Sequence, residues 1–219
     1  MGRLASKHRP ATSGSLVLEH IDWRTYGRLS RAVADCPGVR LAYDRGSLEI
    51  MSPLLEHEDD ARFLGRLVLV LTEELGLPLK SGGATTLRRQ LRRRGIEADE
   101  SFWIASAPRM QGRRRLDLRT DPPPDLAVEV DVSRSSLDRL AIYATLGVPE
   151  VWRLDGDVLL FYVLGADGAF TTAERSRSFP LVAPANLLPF LTQARQAGDQ
   201  NPIVRDFRAW VQLQRGPVT

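Results

Sequence analysis

The stretch Leu126-Ala127-Val128-Glu129-Val130 is apolar at every position except one. A continuous apolar run of this length, rich in valine and leucine and bounded by Pro and Asp, predicts a central strand that is buried on both faces of a sheet. Glu129 is the exception, because an acid inside such a strand is costly to bury unless it is paired or binds a cation. We therefore favour a site role for Glu129 over a purely structural ion pair.

Strand and helix patterns alternate on both sides of this segment, which itself extends over residues 126–132. Further strand patterns cover residues 39–43, 47–51, 85–89, 96–104, 151–154 and 158–164, with a hairpin signal at Asp44-Arg45-Gly46. Helix patterns cover residues 22–34, 56–75, 186–197 and 202–214, and a further helix begins at Ser135 or Ser136 and ends at Leu146. These patterns predict an α/β fold in which a mixed β-sheet is flanked by helices.

Length and composition bound the class of protein. The chain has 219 residues, of which 43% are hydrophobic and 26% charged, which is enough for one well-packed domain and excludes a mostly disordered chain. We expect a single domain over residues 15–219 behind a disordered N-terminus at 1–14. The polar, basic first residues show no signal peptide, and apolar runs are too short to span a bilayer. A single cysteine and three scattered histidines predict neither a disulfide nor a zinc site. We expect a soluble cytoplasmic protein.

The basic residues are almost all arginines, and they cluster. The net charge is only +3, so the total does not imply a nucleic-acid partner. The distribution is more informative: one cluster is Arg88, Arg89, Arg92, Arg93 and Arg94, and a second is Arg109, Arg113, Arg114 and Arg115. Clustered arginines neutralise phosphates in nucleic-acid complexes. A solvated, charge-rich loop explains the same pattern, and both interpretations stay open at this point.

Several acids accompany Glu129 in the predicted layout. Asp131 lies two residues further along the same strand and therefore shares its face. Asp99 lies in the preceding predicted strand, and Glu56 opens the long helix. Carboxylates that converge from a helix start and two neighbouring strands suit a hard cation such as Mg²⁺, and Mn²⁺ uses the same ligands. For Glu56 taken alone, a helix-capping role explains the residue equally well.

Several strings of this sequence resemble the Uma-two family, bacterial proteins described as endonucleases with the PD-(D/E)XK restriction-endonuclease-like fold. The strings are DPPPDLAVEVD at 121–131, SSLDRLAIYATLGVPEVWRLD at 135–155, GATTLRRQL at 83–91, GIEADESFWI at 95–104, MSP at 51–53 and EH at 56–57. The resemblance covers about residues 38–180, and GVPEVW at 147–152 is its most specific part.

This resemblance implies a fold, a cofactor and a set of site residues. The metal-binding aspartate of the family falls on Asp99, the glutamate of its second catalytic strand on Glu129, and its helix-borne acid on Glu56, with His57 beside it. In the wider superfamily such groups hold one or two Mg²⁺ ions, which activate a water for attack on a phosphodiester. The resemblance therefore implies a restriction-endonuclease-like fold, Mg²⁺ as cofactor (Mn²⁺ as the alternative) and DNA as substrate.

The sequence departs from the family pattern at several positions. Ala98 precedes Asp99 where the family usually has proline, and Asp131 stands where the strand lysine of the superfamily would fall. Some members place a lysine in the following helix, where the matching residue is Arg139. An arginine stays protonated, so it stabilises negative charge but cannot act as a base. Asp131 either adds a metal ligand or faces solvent. Lys80 is the only lysine within residues 15–219.

Three functions are compatible with these sequence features. The first is a Mg²⁺-dependent endonuclease on DNA, with Glu56, Asp99 and Glu129 as metal ligands and Asp131 and Arg139 as further catalytic residues. The second is a catalytically inactive protein of the same fold that binds DNA or protein. The third is an enzyme acting on small phosphorylated substrates. A homodimer is compatible with the first, because two sites related by a two-fold axis cut two strands.

Overall fold

A computed structural model describes residues 14–34, 36, 38–52, 55–131 and 137–215. Residues 1–13 of the N-terminus expected to be disordered lie outside the described residues, and so do Ser135 and Ser136. The described chain forms, in order, β1 (Gly14–Leu18), α1 (Trp23–Ala32), β2 (Arg40–Asp44), β3 (Ser47–Ser52), α2 (Leu55–Leu75), β4 (Lys80–Ser81), β5 (Thr86–Arg89), β6 (Arg94–Glu97), β7 (Glu100–Trp103), β8 (Leu126–Asp131), α3 (Arg139–Leu146), β9 (Glu150–Asp155), β10 (Val158–Leu164), β11 (Phe170–Ala173), α4 (Pro184–Gln196) and α5 (Asn201–Arg215).

The strands form two sheets. The first, here called the N-terminal sheet, has five strands in the order β1-β3-β2-β6-β5 and is antiparallel throughout. Helix α1 covers one face, and its N-terminus is capped as predicted: the Thr25 amide donates to Asp22 Oδ1 at 2.6 Å. The predicted β2–β3 hairpin is confirmed. Its turn uses Arg45 and Gly46, both at positive φ (49° and 127°), and positive φ at the turn residues suits the twist of a hairpin.

The second sheet, here called the central sheet, has the order β11-β10-β9-β8-β7-β4. Strands β8 and β9 are parallel and the other pairs are antiparallel, so the predicted mixed pairing is confirmed. The structure has two sheets, whereas the sequence patterns predict one. Helix α2 packs on one face of β8, with α4 and α5 packed against α2. Helix α3 lies on the other face, where it also meets the N-terminal sheet. Strand β8 is therefore buried on both sides, as its sequence predicts.

The predicted strand over residues 96–104 is wrong as one element, because it is two strands in two sheets. Strand β6 pairs with β2 and β5, whereas β7 pairs with β4 and β8. The chain passes from one sheet to the other at Ala98 and Asp99. Hydrophobic alternation continues through the crossover, since both strands are buried, and this explains why the sequence reads as one strand. The crossover places Asp99 between the two sheets.

Other differences are smaller. The sequence patterns do not predict strands β1, β4 and β11. Strand β4 has only two residues, and β1 and β11 are largely exposed edge strands without a clear apolar face. Helix α3 begins at Arg139, and its cap is Asp138, whose Oδ1 accepts from the Ala141 amide at 2.9 Å. The expected cap at Ser135 or Ser136 lies several residues too early. Within the described chain, no helix combines the length and the apolar character needed to cross a lipid bilayer.

Gly95 on β6 lets α1 approach the N-terminal sheet closely. A Cβ at this position would collide with the buried ring and hydroxyl of Tyr26, which stacks on Tyr43 at 4.7 Å between ring centroids. Because the ring is fully buried, it has no room to retreat. We expect Gly95→Ala to lower the free energy of unfolding by about 2 kcal/mol, measured by urea titration.

A matched control for this substitution is Gly198→Ala, because a Cβ at Gly198 would meet no heavy atom within 4 Å and the backbone there does not require positive φ. It should change stability by only a few tenths of a kcal/mol. Equal effects of the two substitutions would show that the approach of Tyr26 to Gly95 is not the cause.

Candidate active site

Glu129 lies at the centre of a buried polar cluster between the two sheets. It is on β8 with only 3% of its surface exposed, and its side chain is on the α3 face of the strand. Its Oε2 accepts two bonds from Arg139, from Nε at 2.7 Å and Nη2 at 2.5 Å. Its Oε1 accepts from the Tyr143 hydroxyl. Arg139 and Tyr143 are four residues apart on α3 and so share one face of the helix. Both carboxylate oxygens of Glu129 are therefore held in place.

Arg139 is itself almost fully buried, with 8% of its surface exposed. Besides Glu129, its guanidinium donates to the Glu97 carbonyl at 3.4 Å, and its Nη1 lies 3.6 Å from Met51 Sδ. These contacts connect α3 to strands β6 and β3 of the N-terminal sheet. The guanidinium is thus a fixed positive charge at the junction of the two sheets.

Asp99 is an acidic residue whose charge acts on Glu129 in this cluster. Its Oδ2 accepts from the backbone amide of Val130 at 2.8 Å, directly beside Glu129. Loss of solvation raises the pKa of Asp99, and the Val130 hydrogen bond and the charge of Arg139 oppose the rise. Burial also raises the pKa of Glu129; Arg139 opposes that rise and the charge of Asp99 adds to it. Two carboxylates therefore share a region of low polarity and repel each other.

Two residues that the sequence analysis did not single out complete the cluster. Glu58, in the first turn of α2, raises the pKa of Asp99 by its negative charge, and it accepts from Arg40 Nη2 at 2.9 Å. Arg40 lies on β2, and its charge lowers the pKa of Asp99. The Nε of Arg40 is one of two buried side-chain nitrogen or oxygen atoms in the described chain that lack a hydrogen-bond partner. The buried Glu100, which pairs with Arg62 at 2.8 Å, also interacts with Asp99 and Glu58, so the carboxylates of this region outnumber its guanidiniums.

The structure places Glu56 and His57 elsewhere. Glu56 is exposed and lines, with His57, a cavity of about 510 Å³ that also contains Asp131. Glu58 follows Glu56 by two residues, which is a rotation of about 200° around a helix. Asp131 is half-buried; its Oδ2 accepts from Arg153 Nε at 2.8 Å and lies 2.6 Å from Arg153 Nη2. Among the described residues, no three His, Cys, Asp or Glu side chains group closely enough to hold a metal ion together.

The donor set nevertheless fits a divalent cation. Asp99 and Glu129 interact electrostatically, and both offer carboxylate oxygens, which are the ligands that Mg²⁺ and Mn²⁺ prefer. The pKa of each carboxyl is raised and partly held down by arginine, so a cation between them would relieve their repulsion. The negative charge of Glu58 also acts on Asp99. The residues that would hold the metal are therefore Asp99 and Glu129, with Arg139 as the neighbouring fixed cation.

The lysine and arginine candidates separate in space. Lys80 lies on β4, two strands away from β8 in the central sheet. Arg94 is a structural residue that binds Asp44 at 2.8 Å, the Ala141 carbonyl at 2.7 Å and Thr145. Arg113 pairs with Asp121 at 3.2 Å. Each arginine cluster of the sequence therefore contains members with a purely structural role.

Tyr143, Glu58 and Arg40 are the site residues that sequence reasoning missed. The spacing of Tyr143 four residues after Arg139 was the one available signal, since i and i+4 share a helix face. Glu58 stands among four acids in the first turns of α2, and only the rotation of the helix against β2 distinguishes it from Glu56. Nothing in the sequence connects Arg40 with Asp99.

Comparison with known proteins agrees with the resemblance read from the sequence. The similar solved structures include a crystal structure described as that of a "putative nuclease belonging to DUF820 from Anabaena variabilis", with 13% identity, a TM-score of 0.47, and coverage of 69% of this chain and 90% of that chain. None of the curated proteins is significantly similar. The Uma2 family model, described as "Putative restriction endonuclease", matches residues 23–194 and thus includes Asp99, Glu129 and Arg139. The expected mixed α/β fold is confirmed, and the chain belongs to the Uma2 family.

Proposed function

We propose that this protein is a metal-dependent endonuclease that hydrolyses DNA phosphodiester bonds. The observation that carries the proposal is the pair of interacting carboxylates, Asp99 and Glu129, with the buried Arg139 guanidinium bound to Glu129, in a chain of the Uma2 family. Asp99 is partly exposed whereas Glu129 is buried, so Asp99 is the side of the pair that a substrate can approach.

The residues of the site have distinct tasks in this proposal. Asp99 and Glu129 hold the cation, and the Val130 amide and the Tyr143 hydroxyl fix the direction of their carboxylates. A bound divalent cation lowers the pKa of a coordinated water and neutralises charge on phosphoryl oxygens. Arg139 keeps its proton at all relevant pH values, so it orients Glu129 and stabilises negative charge without acting as a base. Glu56, His57 and Asp131 lie at the adjoining cavity and serve in substrate or second-cation contacts.

A second candidate function is binding without catalysis. It is favoured by one specific observation: both oxygens of Glu129 are already engaged, by Arg139 and Tyr143. In this alternative the guanidinium permanently takes the place of a metal, and the fold serves only to bind DNA or protein. The two candidates differ in whether Glu129 exchanges an arginine contact for a cation.

Incubation of the purified protein with supercoiled plasmid separates the two. We expect nicking or linearisation in Mg²⁺ or Mn²⁺ and none in EDTA, and we expect Asp99→Asn to remove it, because the amide keeps an oxygen for the Val130 N–H but carries no charge. Circular dichroism and thermal unfolding verify that this variant is folded. Cleavage that persists in Asp99→Asn would assign the activity to another site or a contaminant. Plasmid binding without cleavage under every metal condition would favour the binding function.

A homodimer belongs to the same proposal, because cleavage of both strands of a duplex is naturally done by two sites related by a two-fold axis. Light scattering coupled to gel filtration, with and without a duplex, measures it directly.

A further inference from the structure

A cavity rich in arginine lies on the opposite side of the N-terminal sheet from Glu129. It has a volume of about 700 Å³ and is formed by α1, by β5 with the following Gln90, and by the loop at residues 115–119. Six of its lining residues are arginines: Arg24, Arg31, Arg88, Arg89, Arg115 and Arg119. We call this cavity the arginine groove. Asp117 is its only acidic lining residue.

The groove carries a surplus of positive charge that the described chain does not neutralise. Asp117 is taken by Arg119, whose Nη2 lies 2.6 Å from Asp117 Oδ2, and the hydrogen bonds from Arg119 lower the pKa of Asp117 to about 2. Arg89 donates to the Leu118 carbonyl at 2.9 Å. The other four arginines are exposed and form no ion pair within the described residues. A concave surface that carries one sign of charge raises the local concentration of anionic ligands and therefore favours an anionic partner.

The fold, and not the composition alone, assembles this groove. Arg88 and Arg115 come from the two separate arginine clusters of the sequence, and Arg24 and Arg31 come from α1. Their sequence neighbours Arg92 and Arg114 are equally exposed but do not line it. The groove therefore selects particular members of each cluster, and this selection makes its role testable.

The wall of the groove also carries an aromatic surface. Trp23 lines it and is partly exposed. Its ring packs against Tyr26 at 5.1 Å and Tyr43 at 5.6 Å between centroids, so the indole is held in position. Arginines for phosphates together with an aromatic face for a base are the combination found in nucleic-acid grooves. An acidic peptide would use the arginines but leave the indole without a flat partner.

The groove is connected to the candidate active site through one strand. Thr86 lines the groove, and its hydroxyl donates to the Glu97 carboxylate at 3.0 Å. The backbone carbonyl of the same Glu97 accepts from Arg139 at 3.4 Å, and Arg139 holds Glu129. The β5–β6 hairpin thus separates the groove from the carboxylate pair, and β5 is the edge strand of its sheet.

We propose that the arginine groove binds the sugar-phosphate backbone of the nucleic acid on which this protein acts, with Trp23 against a base. The proposal rests on the proposed function, because it takes nucleic acid as the substrate. It adds the surface and the residues that hold it: Arg24, Arg31, Arg88 and Arg115, with Trp23.

The test compares two triple variants with the same change in net charge. Arg24→Gln/Arg88→Gln/Arg115→Gln removes three groove cations, whereas Arg28→Gln/Arg92→Gln/Arg114→Gln removes three exposed arginines from the same helix, hairpin and loop outside the groove. Fluorescence anisotropy with a labelled 20-nucleotide single strand and its duplex, in EDTA, gives Kd as a function of salt. We expect the groove variant to bind at least about 10-fold more weakly and to lose about two units of salt slope, while the control stays within about 2-fold of wild type.

The outcomes that overturn the inference are specific. Equal losses in the two variants would show that total charge, and not the groove, attracts the nucleic acid. Unchanged nucleic-acid binding in the groove variant, together with weakened binding of labelled poly-glutamate, would assign the groove to an acidic protein. Because the assay is done in EDTA, it does not depend on cleavage. Wild-type protein that binds through the groove but never cleaves contradicts the proposed nuclease alone, whereas cleavage and binding that are intact in the groove variant contradict the groove alone.

Discussion

Glu129→Gln is expected to lower the rate of metal-dependent DNA cleavage by on the order of 10³-fold or more while leaving the protein folded. The amide has nearly the volume of the carboxylate and its oxygen still accepts from Arg139, whose charge also interacts with Asp99. We therefore expect the variant to be less stable, because the buried guanidinium loses its main partner, but still folded. The variant lacks the negative charge that would hold a cation beside Asp99. Initial rates of plasmid nicking at several Mg²⁺ and Mn²⁺ concentrations measure the effect.

Glu150→Gln is the matched control, because Glu150 is another buried glutamate and begins β9, which pairs with β8. Its carboxylate accepts from Trp152 Nε1 at 2.9 Å and from the amides of Arg177 and Ser178 at 3.0 and 2.8 Å, which are purely structural contacts. We expect this variant to be less stable but to cleave at the wild-type rate per folded molecule. A Glu129→Gln protein that cleaves as fast as wild type would remove Glu129 from the site.

Arg139→Gln is expected to have the largest effect on stability, a loss of about 3–5 kcal/mol in the free energy of unfolding. Glu129 would then remain buried at 3% exposure without its partner cation, beside the negative charge of Asp99. Urea unfolding followed by circular dichroism measures the change. Where the single variant does not fold, the double variant Arg139→Gln/Glu129→Gln tests the same cause, because it removes the uncompensated charge.

The double variant should recover a substantial part of the lost stability, and the double-mutant cycle should give a coupling of at least about 2 kcal/mol between the two positions. Arg153→Gln serves as the comparison, because Arg153 forms a similar pair with Asp131 but is more exposed (35% for its side chain, against 9% for Arg139). We expect that loss to be about 1 kcal/mol or less. Similar losses for Arg139→Gln and Arg153→Gln would contradict the view that burial makes the Arg139 pair critical.

Local patterns predicted the elements whose signal lies within a few residues. The apolar run of β8, the Asp22 cap of α1 and the turn of the β2–β3 hairpin are all confirmed, since each depends on neighbouring residues alone. The prediction of one strand over residues 96–104 is wrong because strand pairing here depends on residues far away in the sequence. Its two halves belong to different sheets, and nothing in their alternation of apolar residues marks the crossover at Asp99.

The residues of the candidate site show the same distinction between what the sequence predicts and what only the structure shows. The sequence singled out Glu129, because an acid in an apolar strand is conspicuous by itself, and the resemblance placed Asp99 and Arg139 beside it as expectations. Their catalytic roles remain predictions. Only the tertiary structure shows that Arg139 and Tyr143 hold Glu129. It also shows that the acid of α2 whose charge raises the pKa of Asp99 is Glu58 and not the expected Glu56.

By itself, then, the sequence determined the family, the α/β class and the buried strand around which the site is built, because these follow from local pattern and motif. The pairing of strands into two sheets, the rotation of α2 that selects Glu58, and the gathering of arginines from α1 and two distant clusters into one groove were decided only by the tertiary structure. These features depend on which residues far apart in sequence come into contact, and contacts of that kind leave no periodic signal in the chain.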